Sequence, residues 1–411
     1  MNILYICDQV GSAEMGMVFR PYYLAKEFNK LGHSTTIIGS SFAHNRKINP
    51  NVVNNFDESI IDGIKYVWIK TCVYSGSFKR LKNIFTFVNK LKRNAKKIAQ
   101  KYRPDIVISA CAHNLDIYAA IKIAKYANAR LVYEVRDLWP LSPMELGGYS
   151  KYHPLIMILQ HAEDTAYKKS DFVVSALPCV HEYMKLHGLD LNKLVIVPNG
   201  ISEEIWKEDI DAFSVKDILA CITTQKNNGK IIVGYVGSFG KMYSLESLIS
   251  AANLVKDKPI SFIIIGSGEK QKILYCEIEK YKLENVFIFD PVSKNNIPHI
   301  LSYFDITFIG FMNISVFRFG ISPNKIMEYM MAGKPIINAI KAGNDPVMEA
   351  GCGITVEPEN PQAIADGILK LAALSQEERE AMGKRGRDYI LKNQTYDILA
   401  KKFLDFVTKT E

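Results

Sequence analysis

At 411 residues the chain exceeds what one hydrophobic core usually holds, so two or three domains are expected. Hydrophobic content of 48%, charged content of 23% and a formal net charge of +8 are ordinary for a soluble globular protein. The apolar start at 3–7 stops at Asp8 with no basic flank, and no later apolar run approaches about 18 residues, which argues against a targeting segment or a membrane span.

Taken in order, the chain alternates β-rich runs with amphipathic helical ones, the signature of parallel α/β sheets. It does so twice. Strands are expected at 3–7, 35–38, 66–69, 105–109, 131–135, 172–175 and 194–197, then at 231–236, 260–265, 286–289, 306–309 and 335–339. Residues 205–230 are polar and carry no strand pattern until Ile231, so they read as a linker; from 361 to 408 only charged amphipathic helices remain. The expected fold is α/β with two doubly wound halves facing each other across a cleft, ligands lying at the carboxyl ends of the strands. Residues 1–204 form the first half and 231–390 the second, and helices at 391–411 pack back on the first.

Several stretches carry chemistry. Asp8 to Gly16 follows the first strand, and Gly11 and Gly16 permit close backbone approach. They do not make G-x-G-x-x-G, and the second strand ends without an acidic residue to hold a ribose, so a NAD enzyme is unsupported. The run 75–104 holds ten Lys or Arg and no acid. Its apolar residues Phe78, Leu81, Ile84, Phe85, Val88, Leu91, Ile98 and Tyr102 recur at helical spacing. A basic amphipathic helix, or a pair, is expected there. It suits either an anionic membrane surface or a core-facing stripe with a solvated basic face; nucleic acid is disfavoured because no reading motif accompanies the charge. His113 follows the fourth strand, and Glu134-Val135-Arg136-Asp137-Leu138-Trp139-Pro140 closes the fifth, which places Arg136 and Asp137 at the crevice end; a structural Arg136–Asp137 pair and a structural His113 are the plainer alternatives.

In the second half, Val236-Gly237-Ser238-Phe239-Gly240-Lys241 and Ile265-Gly266-Ser267-Gly268 are glycine turns after strands. They converge with 318–335, RFGISPNKIMEYMMAGKP. There Ser322 reads as an N-cap, Pro323 as the first helical position, Asn324 and Lys325 as the first turn, and Gly333 as the stop. A helix N-terminus with Lys325 in its first turn suits a diphosphate, and Glu328 among Ile326, Met327, Met330 and Met331 suits a pair of ribose hydroxyls. A capped core helix with an exposed Glu is the alternative. The seven cysteines, Cys7, Cys72, Cys111, Cys179, Cys221, Cys276 and Cys352, are scattered and never in C-x-x-C. They read as reduced, mostly buried thiols of a cytoplasmic protein, against a zinc site or a disulfide framework.

With these residues in view, the chain resembles the retaining glycosyltransferases of family 4, of the GT-B class with two Rossmann-like domains. The likeness covers nearly the whole length. It rests on Leu24-Ala25, Leu31-Gly32-His33, Val197-Pro198-Asn199-Gly200-Ile201, the two glycine turns, and Glu328-Tyr329-Met330-Met331-Ala332-Gly333-Lys334-Pro335. The EVRDLWP and SPNK strings are similar to the branch that builds bacterial capsule, exopolysaccharide and O-antigen, including fucosamine-type transferases.

The resemblance implies a nucleotide-sugar donor, UDP-linked, held mainly by the second domain, and a lipid-linked or saccharide acceptor held by the first. It implies no cofactor and no metal, and a cytoplasmic enzyme peripheral to the inner face of the membrane. Glu328 matches the second glutamate of the family's E-x7-E motif; the first would fall at 320, which is Gly320. Ser238 and Tyr243 stand where members carry an Arg and a Lys, and Arg136 and Asp137 stand in place of a family histidine. The donor-binding set is therefore Gly16, Gly237, Ser238, Gly266, Val292, Arg318, Ser322, Asn324 and Glu328, with His113 and Asn199 on the acceptor side. The catalytic candidates are Lys241, Lys325, Arg136 and Asp137. The only D-x-D, Asp209-Ile210-Asp211, falls in the linker and is expected to hold no metal. Two rivals stand beside this reading: a GT-B nucleotide-sugar epimerase, and a non-catalytic member that binds nucleotide or a partner enzyme.

Overall fold

A computed structural model describes residues 1–16, 19–207 and 214–409. The chain forms two compact units, Met1–Pro198 with Tyr396–Glu411, and Asn199–Thr395. Asp209-Ile210-Asp211 lies outside the described residues.

The first unit is built on eight strands: β1 (Asn2–Ile6), β2 (Ser34–Ser40), β3 (Asp57–Ile61), β4 (Ile64–Ile69), β5 (Ile106–Ser109), β6 (Arg130–Val135), β7 (Phe172–Ser175) and β8 (Leu194–Ile196). Their order is β3-β4-β2-β1-β5-β6-β7-β8, with Ile3 paired to Thr35 on one side and to Ile106 on the other. Every pairing is parallel except β3 with β4. Parallel strands covered on both faces read as unbroken apolar runs, which is why the seven expected strands are found. β3 was not expected. Its residues alternate between half-buried and exposed on a sheet edge, and it returns to β4 through Asp62 and Gly63, at φ 50° and 76°. Two left-handed residues in succession make the tight hairpin that an Asp-Gly pair favours.

β1 feeds β2 on one side and lies against β5 on the other, so the topological switch point of this sheet is between β1 and β5. The helix Arg20–Lys30 is joined by the last helix, Tyr396–Val407. Tyr23 stacks on Tyr396 with centroids 4.9 Å apart, and Phe28 meets Phe403 at 5.4 Å. Arg20 is buried and pairs with the equally buried Glu134 of β6 at 2.8 Å. It also donates to the carbonyls of Val197 and Pro198, while the Tyr5 hydroxyl donates to Glu134. The glutamate of EVRDLWP is thus part of the framework.

The basic run forms one helix, Ser77–Tyr102. Its apolar stripe is mostly core: Ile84, Phe87, Val88, Leu91, Ala95 and Ile98 are buried. Phe78, 83% exposed, and Phe85, 40% exposed, stand instead on the wet side among the lysines. The helix Pro154–Lys169 carries Glu163, fully buried and receiving hydrogen bonds from Tyr167, Tyr183 and Gln160. Burial pushes its carboxyl up to about 8 against the pull of those donors. The native state therefore holds a proton that the unfolded chain releases near its ordinary value of about 4.3, so stability falls as pH rises through the window from about 4.3 to 8. Melting wild type and Glu163→Gln side by side at about pH 5 and about pH 9 should show the wild type losing ground at the higher pH; a constant difference would contradict a buried neutral carboxyl.

The second unit has six parallel strands, β9 (Ile231–Val236), β10 (Ile260–Ile265), β11 (Val286–Phe289), β12 (Ile306–Gly310), β13 (Ile336–Ala339) and β14 (Gly353–Val356), ordered β11-β10-β9-β12-β13-β14. Its switch point lies between β9 and β12. β14, half-buried at the edge and opening on a glycine, was not expected. Part of the expected linker is a helix, Lys216–Asn227, with Ile218 and Ile222 buried in this unit's core. Apolar residues inside a polar stretch are what anchor it. None of the seven cysteines forms a disulfide; Cys7, Cys111 and Cys352 are buried, three are half-buried, and Cys276 is exposed.

Candidate functional site

The site in the second unit forms where β9 and β10 end opposite the helix Asn324–Met331. This helix buries Ile326, Met327, Tyr329, Met330 and Met331. Lys325 and Glu328, three residues apart, fall together on its other face. Tyr329 fixes the helix against β9: the Val236 N–H donates to its hydroxyl at 3.0 Å, and the hydroxyl lies 3.3 Å from the Val236 carbonyl oxygen. That bond sets the next residue, Gly237, beside Lys325. A Cβ at Gly237 would lie 1.9 Å from Lys325 Cε, and one at Gly266 would lie 1.8 Å from the Gly237 carbonyl oxygen. Only glycine admits so close an approach of the two turns.

Lys325 Nζ sits 3.7 Å from the centre of the Tyr243 ring and 5.7 Å from that of Tyr235. The ring faces hold the ammonium by their negative quadrupoles, leaving the cation at the helix start. Tyr243 thus orients a cation rather than supplying one. Glu328 pairs with Lys294 at 2.9 Å. Lys294 begins a short turn, Lys294–Asn296, two residues after Val292 in the loop that follows β11. No sequence motif pointed to it.

The entry to the helix differs from the expected cap. The helix starts at Asn324, and Pro323 takes the cap position without a side-chain bond. Ser322 Oγ instead accepts from the Asn199 N–H at 2.7 Å, and the Asn199 amide donates to the Ser322 carbonyl at 2.6 Å. Asn199, expected on the acceptor side, therefore shapes the turn in front of Lys325. From the other side Asn344 accepts from Ile321 N–H at 2.7 Å and donates to its carbonyl at 3.1 Å. Gly320 has φ 90°, so a glutamate at this point would be strained; the position answers to the turn.

The other expected residues of this unit lie in the turns around the helix start. Lys241 is exposed in the turn Lys241–Tyr243, its backbone N–H bound by Glu269. Ser238 is exposed, with its carbonyl accepting from Tyr235. Arg318 is exposed on the turn Ser315–Phe319, its guanidinium 4.3 Å from the Phe319 ring centre and donating to the Ser315 carbonyl. Val292 is half-buried against the core.

In the first unit, Gly16 closes a small loop on Ser12 with φ 78°. His113, 2% exposed, lies at the switch point with Nε2 3.6 Å from Asp8 and Nδ1 accepting from the Leu115 N–H. Arg136 donates to the Ala110 carbonyl at 2.9 Å, and Asp137 is exposed just beyond it.

Residues 16–205 match the description "Glycosyltransferase Family 4", and residues 223–389 match "Glycosyl transferases group 1". The glycosyltransferase named WbjE of Pseudomonas aeruginosa is 24% identical over 345 residues, 81% of this chain and 80% of that one. WcaI of Escherichia coli (strain K12), named as a colanic acid biosynthesis glycosyl transferase, is 24% identical over 67% of this chain and 68% of its own. Among solved structures, sucrose-phosphate synthase of Thermosynechococcus elongatus superposes with a TM-score of 0.74 at 15% identity, covering 98% of each chain. Anabaena Alr3699/HepE in complex with UDP and glucose superposes at 0.67 with 16% identity, covering 99% of each. The two matched regions carry the two doubly wound units, and the chain is accordingly a glycosyltransferase of the GT-B fold.

Proposed function

We propose that the chain transfers a sugar from a UDP-linked donor to a lipid-linked or saccharide acceptor in bacterial surface polysaccharide synthesis, with retention of anomeric configuration. The observation that carries this is Lys325 and Glu328 on one face of the Asn324–Met331 helix, beside the closely packed Gly237 and Gly266 turns. The helix start and Lys325 take the diphosphate, and Glu328 takes the ribose. As the bond to the sugar breaks, charge grows on the diphosphate, and a cation and N–H groups already in place stabilise it without reorganising. That is the work a metal does in other transferases, so no metal is called for. The UDP and glucose bound by Alr3699/HepE, and the colanic acid role in the name of WcaI, support the donor and pathway class.

The same reading places the protein at an anionic membrane surface, through the exposed Phe78 and Phe85 and the lysines around them. Among the described residues no helix is long and apolar enough to cross a membrane.

A thermal-shift panel of UDP, GDP, ADP and NAD on the wild type and Glu328→Ala tests the donor reading. A ligand at 100 times its Kd adds about 2.7 kcal/mol. UDP alone should raise Tm, and the substitution should abolish the rise; no shift with any nucleotide would refute the proposal. Co-sedimentation with anionic but not neutral vesicles tests the membrane face.

A further inference from the structure

We infer that Arg80, His44 and Tyr74 form a phosphoryl-binding site in the first unit, and that it takes the phosphate of a lipid-linked acceptor, which decides against a free saccharide. The acceptor role rests on the transfer reading above. The site itself stands on the first unit alone.

His44 follows β2 and Tyr74 follows β4, so both lie past the carboxyl ends of parallel strands, where such sheets bind their ligands. The Tyr74 hydroxyl lies 2.8 Å from His44 Nδ1, and its buried ring meets Phe42 edge-on with centroids 5.0 Å apart. That bond leaves Nε2 as the ring nitrogen open to a ligand. Arg80 joins them from the start of the helix Ser77–Tyr102. Burial and then the Arg80 charge hold the His44 imidazole below its ordinary value. Burial raises the Tyr74 hydroxyl, against the pull of the His44 backbone and of the same Arg80 charge. The three groups are thus close enough to act on one another.

Arg80 is half-buried, its Nε is shut from solvent without a hydrogen-bond partner, and among the described residues no carboxylate pairs with it. No acid stands in the first turn of its helix either. Arg46, by contrast, is buried and commits its guanidinium to the Val10, Ser40 and Asp8 carbonyls. The Asp8 carboxylate acts on both His44 and Tyr74, but it is buried and faces His113 at 3.6 Å. Arginine is seldom withdrawn from water without a partner, and its forked N–H donors fit phosphate oxygens in pairs. The surroundings say what that phosphate carries. Ile48, Val73 and Phe78 are 56%, 73% and 83% exposed, and each is within four residues of a member of the cluster. Apolar side chains left in water beside a cation suit an acyl or isoprenoid chain, and they offer nothing to a free sugar.

Calorimetric titration with geranyl diphosphate, a soluble lipid diphosphate, tests this, with UDP in excess so that the donor site is filled. The wild type should bind it, should ignore geraniol, and should bind inorganic pyrophosphate more weakly. Arg80→Gln should weaken geranyl diphosphate binding by about 10–100-fold, the range of one hydrogen bond to a charged group. The same change at the exposed Lys97 of the same helix should leave binding as it was. Melting curves without ligand should overlay for all three proteins, which separates the effect from unfolding. Undiminished binding in Arg80→Gln would overturn the inference, as would geraniol or pyrophosphate binding as well as geranyl diphosphate does. Binding to phosphatidylglycerol vesicles with no response to geranyl diphosphate would overturn it too, and would assign the cation to bilayer headgroups. If UDP itself fails to bind, the donor reading falls, and the effect of Arg80→Gln still decides this site.

Discussion

Lys325→Met is expected to lower kcat by about 10²–10³, the usual effect of removing one preorganised group facing developing charge. The residue is well suited to show this cleanly. Methionine keeps the unbranched stem that packs beside Gly237 and over Tyr243, so only the charge is withdrawn. The lost cation–π contact amounts to about 0.5–1 kcal/mol at a half-exposed position, which should move Tm by only a few degrees. Nucleotide release in the presence of a membrane lipid extract measures the rate. The same substitution at the exposed Lys241 is the control, and it should cost much less. If Lys241 proves the more sensitive of the two, the diphosphate lies over the Lys241–Tyr243 turn and the assignment of the cation is wrong.

Glu134→Gln is expected to destabilise the first unit by about 3–5 kcal/mol, because it leaves the buried Arg20 guanidinium without its counter-charge. The bonds from Arg20 to Val197 and Pro198 survive the change, so the loss reports the uncompensated charge itself. A protein of two units need not unfold in one step, and the transition to follow in urea is the one belonging to the first unit. Removing both partners, as Arg20→Met with Glu134→Leu, should recover only part of the stability: an apolar pair often replaces a buried ion pair at little cost, but the Val197 and Pro198 carbonyls and the Tyr5 hydroxyl then lose their partners. A single substitution that leaves the transition where it was would mean that the Arg20–Glu134 pair does not stabilise the first unit.

The sheets were legible because their strands are buried on both faces: Ile260–Ile265 has every residue covered, and such a run cannot hide. The two strands that escaped, Asp57–Ile61 and Gly353–Val356, lie at sheet edges, where half-burial dilutes the apolar signal. The Asp62-Gly63 pair would have given the first of them away. Lys325 and Glu328 were legible from capping chemistry and helical spacing, which are local. Ser322 misled for the opposite reason: its hydroxyl serves Asn199, a partner 123 positions away that no local rule foresees. Lys294 likewise reaches Glu328 only through the order of β11, β10 and β9. In the basic helix, periodicity identified an apolar stripe but could not say what covers it, and most of it turned out to be core.

The return of the chain at Tyr396 to the first unit has a consequence for synthesis. Asn199–Thr395 is contiguous and can close once it has left the ribosome, whereas the first unit waits. At roughly 5–20 residues per second, the intervening stretch takes roughly 10–40 s to make. Through that interval Tyr23 and Phe28 have no Tyr396 or Phe403 against them, and the nascent first unit presents an apolar groove for any chaperone at hand. The helix that follows the second unit in the chain therefore acts as the latch on the unit that precedes it.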